Sequence, residues 1–375
     1  MPGRPPAAWD APAPGWEAAF AQVPRAAFLP DLVWPYDMAR RTTVAVDRAL
    51  DPSGWQEYAE ADVPIVTQWD DGEHAGREPG RVSTSSASMP SVVAGMLDDL
   101  RVEPGRRVLE VGTGTGWNAA LLCHRLGDAN VTSVEVDPVV AARARAALDR
   151  AGYRPALVVG DGFAGHPAGA PYDRVVATCG LREIPYAWVA QTAPGGLVVA
   201  PWGTHFDNGD AVVRLEVADG RAEGRFTRPV EFMKMRSQRT AVRHAEHVPP
   251  QGTAGAEESA TMLSAEELLP AAFVLGLRVP HCVQAVAGKR GDTRPIWYYS
   301  RTDRSWAVAV LRDGGRENAV WQSGPRRLWD ETEAAVRWWR ARGRPGLDRF
   351  GLSVDPAGTR VWLDRPEDEV TPGRA

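Results

Sequence analysis

Lysine is almost missing from this chain. Lys234 and Lys289 are its lysines among 43 basic side chains, and 48 acidic ones leave a formal net charge of −5. No local run gathers arginine into a basic stripe. A generic nucleic-acid binder is thereby excluded, because polyanion affinity comes from clustered cations. Cysteine is scarce as well: Cys123, Cys179 and Cys282 lie far apart and form no C-x-x-C pair. That spacing argues against a disulfide framework or a structural zinc site and predicts reduced thiols. No segment approaches the roughly 18 uninterrupted apolar residues that cross a bilayer. The opening MPGRPPAAWDAPAPG has no apolar core of a secretion signal. The expectation is a cytoplasmic protein with neither membrane nor nucleic-acid partners. What the chain does have is 375 residues, 44% apolar and 24% charged, enough for an ordinary globular protein of two domains.

Residues 1–15 are rich in Pro and Ala and predict a disordered tail. Trp16, Ala19, Phe20 and Val23 recur at helical spacing up to Pro24, and residues 16–82 read as an N-terminal helical and loop region, with an exposed loop from Asp70 to Gly80. An α/β rhythm begins near Ser83. Strands are expected at Arg107–Val111, Val131–Val136, Leu157–Val159, Arg174–Ala177 and Leu197–Ala200, with helices between them. Strands alternating with helices signify a parallel sheet covered on both faces, so the fold class is α/β and doubly wound. Period-two segments at Ala211–Val217 and Gly224–Phe232 predict antiparallel strands closing the sheet, and Gln251–Ser259 reads as a linker. The core is therefore expected at residues 83–235 and a separate C-terminal α+β domain at 236–375.

The clearest chemical signal is VLEVGTGTGW, Val108–Trp117, followed by VTSVEVDP, Val131–Pro138. A strand running into Gly112, Gly114 and Gly116 lets a ligand approach the backbone where a Cβ would otherwise stand. Glu135 closes the next strand, where two ribose hydroxyls can donate to it. The spacing is G-x-G-x-G and the following residue is Trp117, unlike the G-x-G-x-x-G of a dinucleotide site. A bulky indole there disfavours a diphosphate and leaves room for a small zwitterionic tail, which points to S-adenosylmethionine. Glu110, beside the loop, suits the ammonium group, and Asp161 in GDG, Gly160–Gly162, suits the adenine amino group. The cofactor-binding candidates are Glu110, Gly112, Thr113, Gly114, Gly116, Trp117, Glu135, Val136, Asp161 and Gly162.

Methyl transfer from a sulfonium is an in-line displacement that requires alignment and exclusion of water. A carboxylate acceptor, with an ordinary pKa of about 3.9 for aspartate, is already ionised at neutral pH and needs hydrogen-bond donors, not a base. STSSASMPS, Ser83–Ser91, offers hydroxyls just before a helix, which also fits a simple cap and turn cluster. Ser86, Ser88 and Ser91 are the candidates on the acceptor side.

SASMPSV, Ser86–Val92, followed by VLEVGTGTGWNAALL resembles the protein-L-isoaspartate O-methyltransferases. VPRAAFLP (Val23–Pro30), VVGDG (Val158–Gly162), APYDRVVAT (Ala170–Thr178) and IPYAWVAQTAPGGLVVAP (Ile184–Pro201) extend the match over residues 16–235. The resemblance implies a Rossmann-like class I methyltransferase in which Ser88 is the serine that positions the acceptor carboxylate. It departs from the family in having Ser91 where a histidine is usual and in carrying about 140 further residues. TSSASMPS, Gly224–Arg236 and the tail resemble the methyltransferases that accompany ATP-grasp peptide ligases. That closer resemblance implies a graspetide pathway, in which an aspartate side chain of a cyclised ribosomal precursor peptide is methylated and closes, with loss of methanol, to aspartimide, whose hydrolysis would give isoaspartate. The peptide and an ATP-grasp ligase would be its partners, and 236–375 its substrate-recognition domain. A protein-L-isoaspartate repair enzyme, or the equivalent enzyme of a lanthipeptide pathway, is the alternative.

Other features have plainer readings. The tryptophans outside Ser83–Phe232 read as core or as anchors of a peptide groove, and the arginines at 337, 340, 342 and 344 as a solvated face or an acidic-peptide contact. His244 and His247 lack a third ligand, so no metal is expected. Cys179 fits a small apolar role facing substrate, with Arg182 and Glu183 nearby as peptide contacts.

Overall fold

The computed structural model describes residues 14–37, 42–314 and 317–371, so most of the expected N-terminal tail lies outside the described residues. Its centre is a nine-stranded sheet. In chain order the strands are β1 (Val108–Val111), β2 (Val131–Glu135), β3 (Ala156–Val159), β4 (Tyr172–Ala177), β5 (Thr192–Trp202), β6 (Gly209–Ala218), β7 (Arg221–Glu231), β8 (Phe350–Asp355) and β9 (Gly358–Leu363). They lie side by side as β9-β8-β7-β6-β5-β4-β1-β2-β3. The stretch from β5 to β3 is parallel and the rest antiparallel. The parallel half is the doubly wound α/β sheet that the strand–helix rhythm predicts, and the antiparallel half makes the whole sheet mixed.

The helices follow from local chemistry. Pro90, fixed near helical φ, opens α1 (Pro90–Leu100), and α2 (Trp117–Leu126) starts directly from the glycine loop. In α3 (Pro138–Ala151) the Asp137 carboxylate accepts from the N–H groups of Val139 and Val140, Pro138 occupies the first turn, and Gly152 ends the helix with φ of 86°. One apolar layer, including Leu97, Leu121 and Leu148, packs under one face of the sheet, and another, including Trp188, Val213 and Phe350, under the other.

Two expectations are corrected. Residues 16–82 are more than helix and loop: Leu32–Asp37, Thr42–Thr43, Val46–Asp47 and Ile65–Trp69 form a five-stranded sheet with Ser83–Ala87. The serine-rich segment is thus the edge of this small sheet, paired antiparallel with Ile65–Trp69. The C-terminal part is also not wholly separate. A second five-stranded sheet, Glu257–Thr261 with the four strands from Cys282 to Ser323, carries the helix Leu328–Ala341, and the chain then returns so that β8 pairs with β7 through Ala222↔Val354 to Arg225↔Gly351. The segment expected as a linker is turn through residue 255, and its last three residues, 257–259, already belong to the first strand of that second sheet. Most tryptophans are core, with Trp55, Trp188 and Trp329 fully buried. Among the described residues, no helix is long and apolar enough to cross a membrane.

Candidate active site

A cleft opens at the carboxyl ends of β1, β2 and β4, where chain connections leave the sheet in opposite directions and a parallel sheet gathers its ligands. The register Val111↔Val134 places Gly112 beside the end of β2, and its N–H donates to the Val134 carbonyl at 2.8 Å. Gly112, Gly114 and Gly116 all have positive φ, at 100°, 54° and 89°, a region that L side chains rarely adopt. Their surroundings differ. A Cβ on Gly112 would meet Thr178 Oγ1 at 2.7 Å, and one on Gly116 would press on Ala144 and Leu148 of α3. Gly112 and Gly114 line the cleft, where a Cβ on Gly114 would stand 3.4 Å from the Ser86 carbonyl, and Gly116 does not. The expectation that all three clear space for a ligand is corrected for Gly116, which lets the loop pack against the helix behind it.

Glu135 stands across from this loop, its carboxylate accepting from Gly114 N at 2.9 Å and from Asp137 N at 3.1 Å. Val136 is 40% exposed and lines the cleft with Glu135, Asp161 and Gly162. Asp161 accepts from Phe163 N at 3.0 Å, and no side chain would fit at Gly162, where a Cβ would lie 2.3 Å from Val111. These groups sit together as a nucleoside site requires.

Glu110 is placed differently. It is fully buried beneath the loop, accepting from Asn118 Nδ2 at 2.7 Å and Ser133 Oγ at 2.5 Å, while the Thr113 hydroxyl bonds Ser133 Oγ at 2.6 Å. Burial pushes its pKa up to about 7, against the pull of those hydrogen bonds. It braces the loop from below and does not line the cleft, whereas Asn118 does. Trp117 lines the cleft floor, but its indole N–H donates to the Val23 carbonyl at 2.9 Å and its ring meets Phe20 edge-on. Its bulk pins the N-terminal helix Glu17–Gln22 to the core.

On the acceptor side, Ser86 and Ser88 line the cleft. Ser91 does not: it lies in the first turn of α1, with its N–H on Asp62 Oδ1 at 2.9 Å. The Ser88 carbonyl is held by Arg25, a guanidinium 4% exposed that donates to the carbonyls of Tyr58, Ala59, Ala61, Val63 and Ser88. Desolvation lowers the Arg25 pKa to about 10, with Asp62 opposing.

Of the opposite wall, only Cys179 was placed towards substrate from sequence. That wall is Phe232–Ser237 and Arg239, together with Thr178 and Cys179. A Lys among apolar residues in FMKMR was the available signal. Lys234 Nζ donates to buried Asp210 at 2.7 Å and to the Phe232 carbonyl at 2.8 Å. The Cys179 thiol is pushed up to about 12 by burial and stays neutral. Arg182 is no peptide contact. It is buried, bonded to the Thr204 and Asp207 carbonyls and 3.5 Å from Asp210, while the neighbouring Glu183 N–H donates to Gln238. His244 and His247 are engaged with the Tyr299 hydroxyl and the Ser300 carbonyl.

A sequence model described as protein-L-isoaspartate(D-aspartate) O-methyltransferase (PCMT) matches residues 46–240. The protein-L-isoaspartate O-methyltransferase of Gloeobacter violaceus is 37% identical over 153 residues, 40% of this chain and 73% of that protein. That of Anaeromyxobacter dehalogenans is 43% identical over 152 residues, 71% of its length. A solved protein-L-isoaspartate O-methyltransferase, 21% identical, superposes with a TM-score of 0.51 over 94% of this chain and 96% of its own. The shared fold therefore includes the C-terminal region, whose length does not set this chain apart. With the family match running from the small N-terminal sheet through the Met233–Arg239 wall, the chain belongs to the protein-L-isoaspartate O-methyltransferase family and is an S-adenosylmethionine-dependent carboxyl methyltransferase.

Proposed function

We propose that the chain methylates the free carboxylate of L-isoaspartyl residues in peptides and proteins. The observation that carries this reading is the set of titratable groups in the cleft. Glu135 and Asp161 stand at the nucleoside end, Cys179 is neutral, and Lys234, Arg236 and Arg239 are ion-paired. Among the described residues lining the acceptor side, none is free to take a proton at neutral pH. An amine or alcohol acceptor would require such a base, while a carboxylate reacts as it is.

S-adenosylmethionine supplies a methyl group on positively charged sulfur. Glu135 is placed to accept from ribose hydroxyls and Asp161 from the adenine amino group, and the Gly114 backbone leaves room for the chain between them. Ser86 and Ser88 offer hydroxyl donors to orient a carboxylate, and Arg25 fixes the carbonyl of Ser88 so that the donor does not swing. Phe232, Met233 and Met235 give the opposite wall apolar surface that excludes water.

A second reading is methylation of an aspartate side chain in an ATP-grasp-cross-linked precursor peptide, with closure to aspartimide. It is supported by the Thr84–Ser91 and Gly224–Arg236 resemblances, not by the C-terminal region. Both readings are separated by incubating the purified chain and S-adenosylmethionine with a linear isoaspartyl peptide, its aspartyl twin and a side-chain-cyclised peptide. The first reading expects one methyl on the isoaspartyl peptide followed by loss of methanol. Turnover confined to the cyclised peptide would overturn it in favour of the second.

A further inference from the structure

Arg236 lies where three separate segments meet. Its Nε is 3.0 Å from Asp71 Oδ1 in the N-terminal region, and an Nη atom donates to Asp137 Oδ2 at 2.7 Å. Asp71 is also held by Arg239, at 2.9 and 3.1 Å to its two oxygens. Asp137 in turn accepts from Gln68 Nε2 at 3.1 Å, caps α3, and gives its own N–H to Glu135. Arg236 itself lines the cleft, with its side chain 27% exposed. One guanidinium thus joins the acceptor-side wall to the ribose carboxylate, two bonds away, and to the small N-terminal sheet. Asp71 adopts φ of 53°, so its turn presents the carboxylate from a left-handed conformation.

We infer that Arg236 is a positioning residue: it fastens the Met233–Arg239 wall across the cleft, and the mouth opens only when its pairs with Asp71 and Asp137 break. The inference rests on the methyltransferase reading. A guanidinium suits this work because its planar fork reaches two carboxylates at once, which a lysine ammonium at the same place cannot do with equal geometry. Because the pairs lie at the rim and are partly shielded from water, losing them should weaken closure and not chemistry.

The test compares wild type with Arg236→Gln, Arg236→Lys and Asp71→Asn, reading S-adenosylhomocysteine affinity by calorimetry and KM and kcat on an isoaspartyl peptide. Loss of one such charge-assisted contact predicts an affinity for the nucleoside and a peptide KM each worse by about tenfold in Arg236→Gln, with kcat kept within about threefold. Arg236→Lys should fall between that variant and wild type, and Asp71→Asn should lose about threefold. Affinity and KM within twofold of wild type in Arg236→Gln, or a lowered kcat at unchanged KM, would overturn the inference. Should Arg236→Gln not fold, unchanged binding in Asp71→Asn overturns it alone. A wild-type chain that binds no S-adenosylhomocysteine would sink the underlying reading instead.

Discussion

Ser88 and Glu110 show how differently two residues of one site act. Ser88 lies in the cleft wall with its carbonyl clamped at 3.0 Å by Arg25, so its side chain is a fixed donor on the acceptor side. Ser88→Ala should reduce kcat by about a hundredfold, the usual loss for one preorganised donor, and leave S-adenosylhomocysteine affinity within about threefold. Parallel kinetics and calorimetry would show it, and an equal loss in both would move Ser88 to the nucleoside side. Glu110 acts through stability. Its folded pKa of about 7 exceeds the reference 4.5, so the folded chain holds this proton where the unfolded chain has lost it. The contribution is complete below 4.5 and is lost as pH rises through 7. Glu110→Gln should remove that slope, up to about 3 kcal/mol, so that thermal unfolding of the variant is flatter than wild type between about pH 5 and pH 7. A Gln is tolerated there because the Ser133 hydroxyl, shared with Thr113, can accept from its amide.

The elements differ in how much of them the residues announce locally. The glycine loop, α3 and the strands around them were legible because each is specified by neighbours in sequence. The small N-terminal sheet was not. Two of its strands are two residues long, and its serine-rich edge, Ser83–Ala87, has none of the branched apolar residues that mark a strand. Glu110 was misplaced because sequence tells that a carboxylate adjoins the loop but not which way it points. The Phe232–Arg239 wall was missed because it meets the serines only through the fold. Arg25 ties these elements together with five carbonyls and no carboxylate among its hydrogen-bond partners. Arg25→Ala would strand those buried carbonyls, and urea unfolding should show a loss of about 3 kcal/mol or more. A loss under about 1 kcal/mol would mean that the N-terminal helix Glu17–Gln22 is held mainly by Trp16 and Trp117.

At the level of the whole molecule, the C-terminal residues cannot be treated as a detachable accessory. Phe350, Leu352 and Val354 of β8 are buried in the same core layer as Trp188 and Val213, and Arg349 and Asp364, at the two ends of the β8–β9 hairpin, are joined by paired hydrogen bonds. Deleting residues 241–375 should therefore expose the β7 edge and an apolar layer, giving aggregated protein or a broad unfolding transition instead of a soluble, nucleoside-binding core. A truncated chain that unfolds cooperatively and binds S-adenosylhomocysteine would refute that expectation.

The register Ala222↔Val354 also has a meaning for how the chain is made. On the ribosome the nucleoside loop emerges early, but the strand that seals the far edge of its sheet arrives only after residues 232–349 have been translated. At ordinary elongation speeds that interval is on the order of ten seconds, during which an unpaired β7 invites wrong partners. Biosynthesis of this enzyme is thus exposed to crowding of nascent chains, and holdase chaperones that shield the waiting edge should raise its soluble yield.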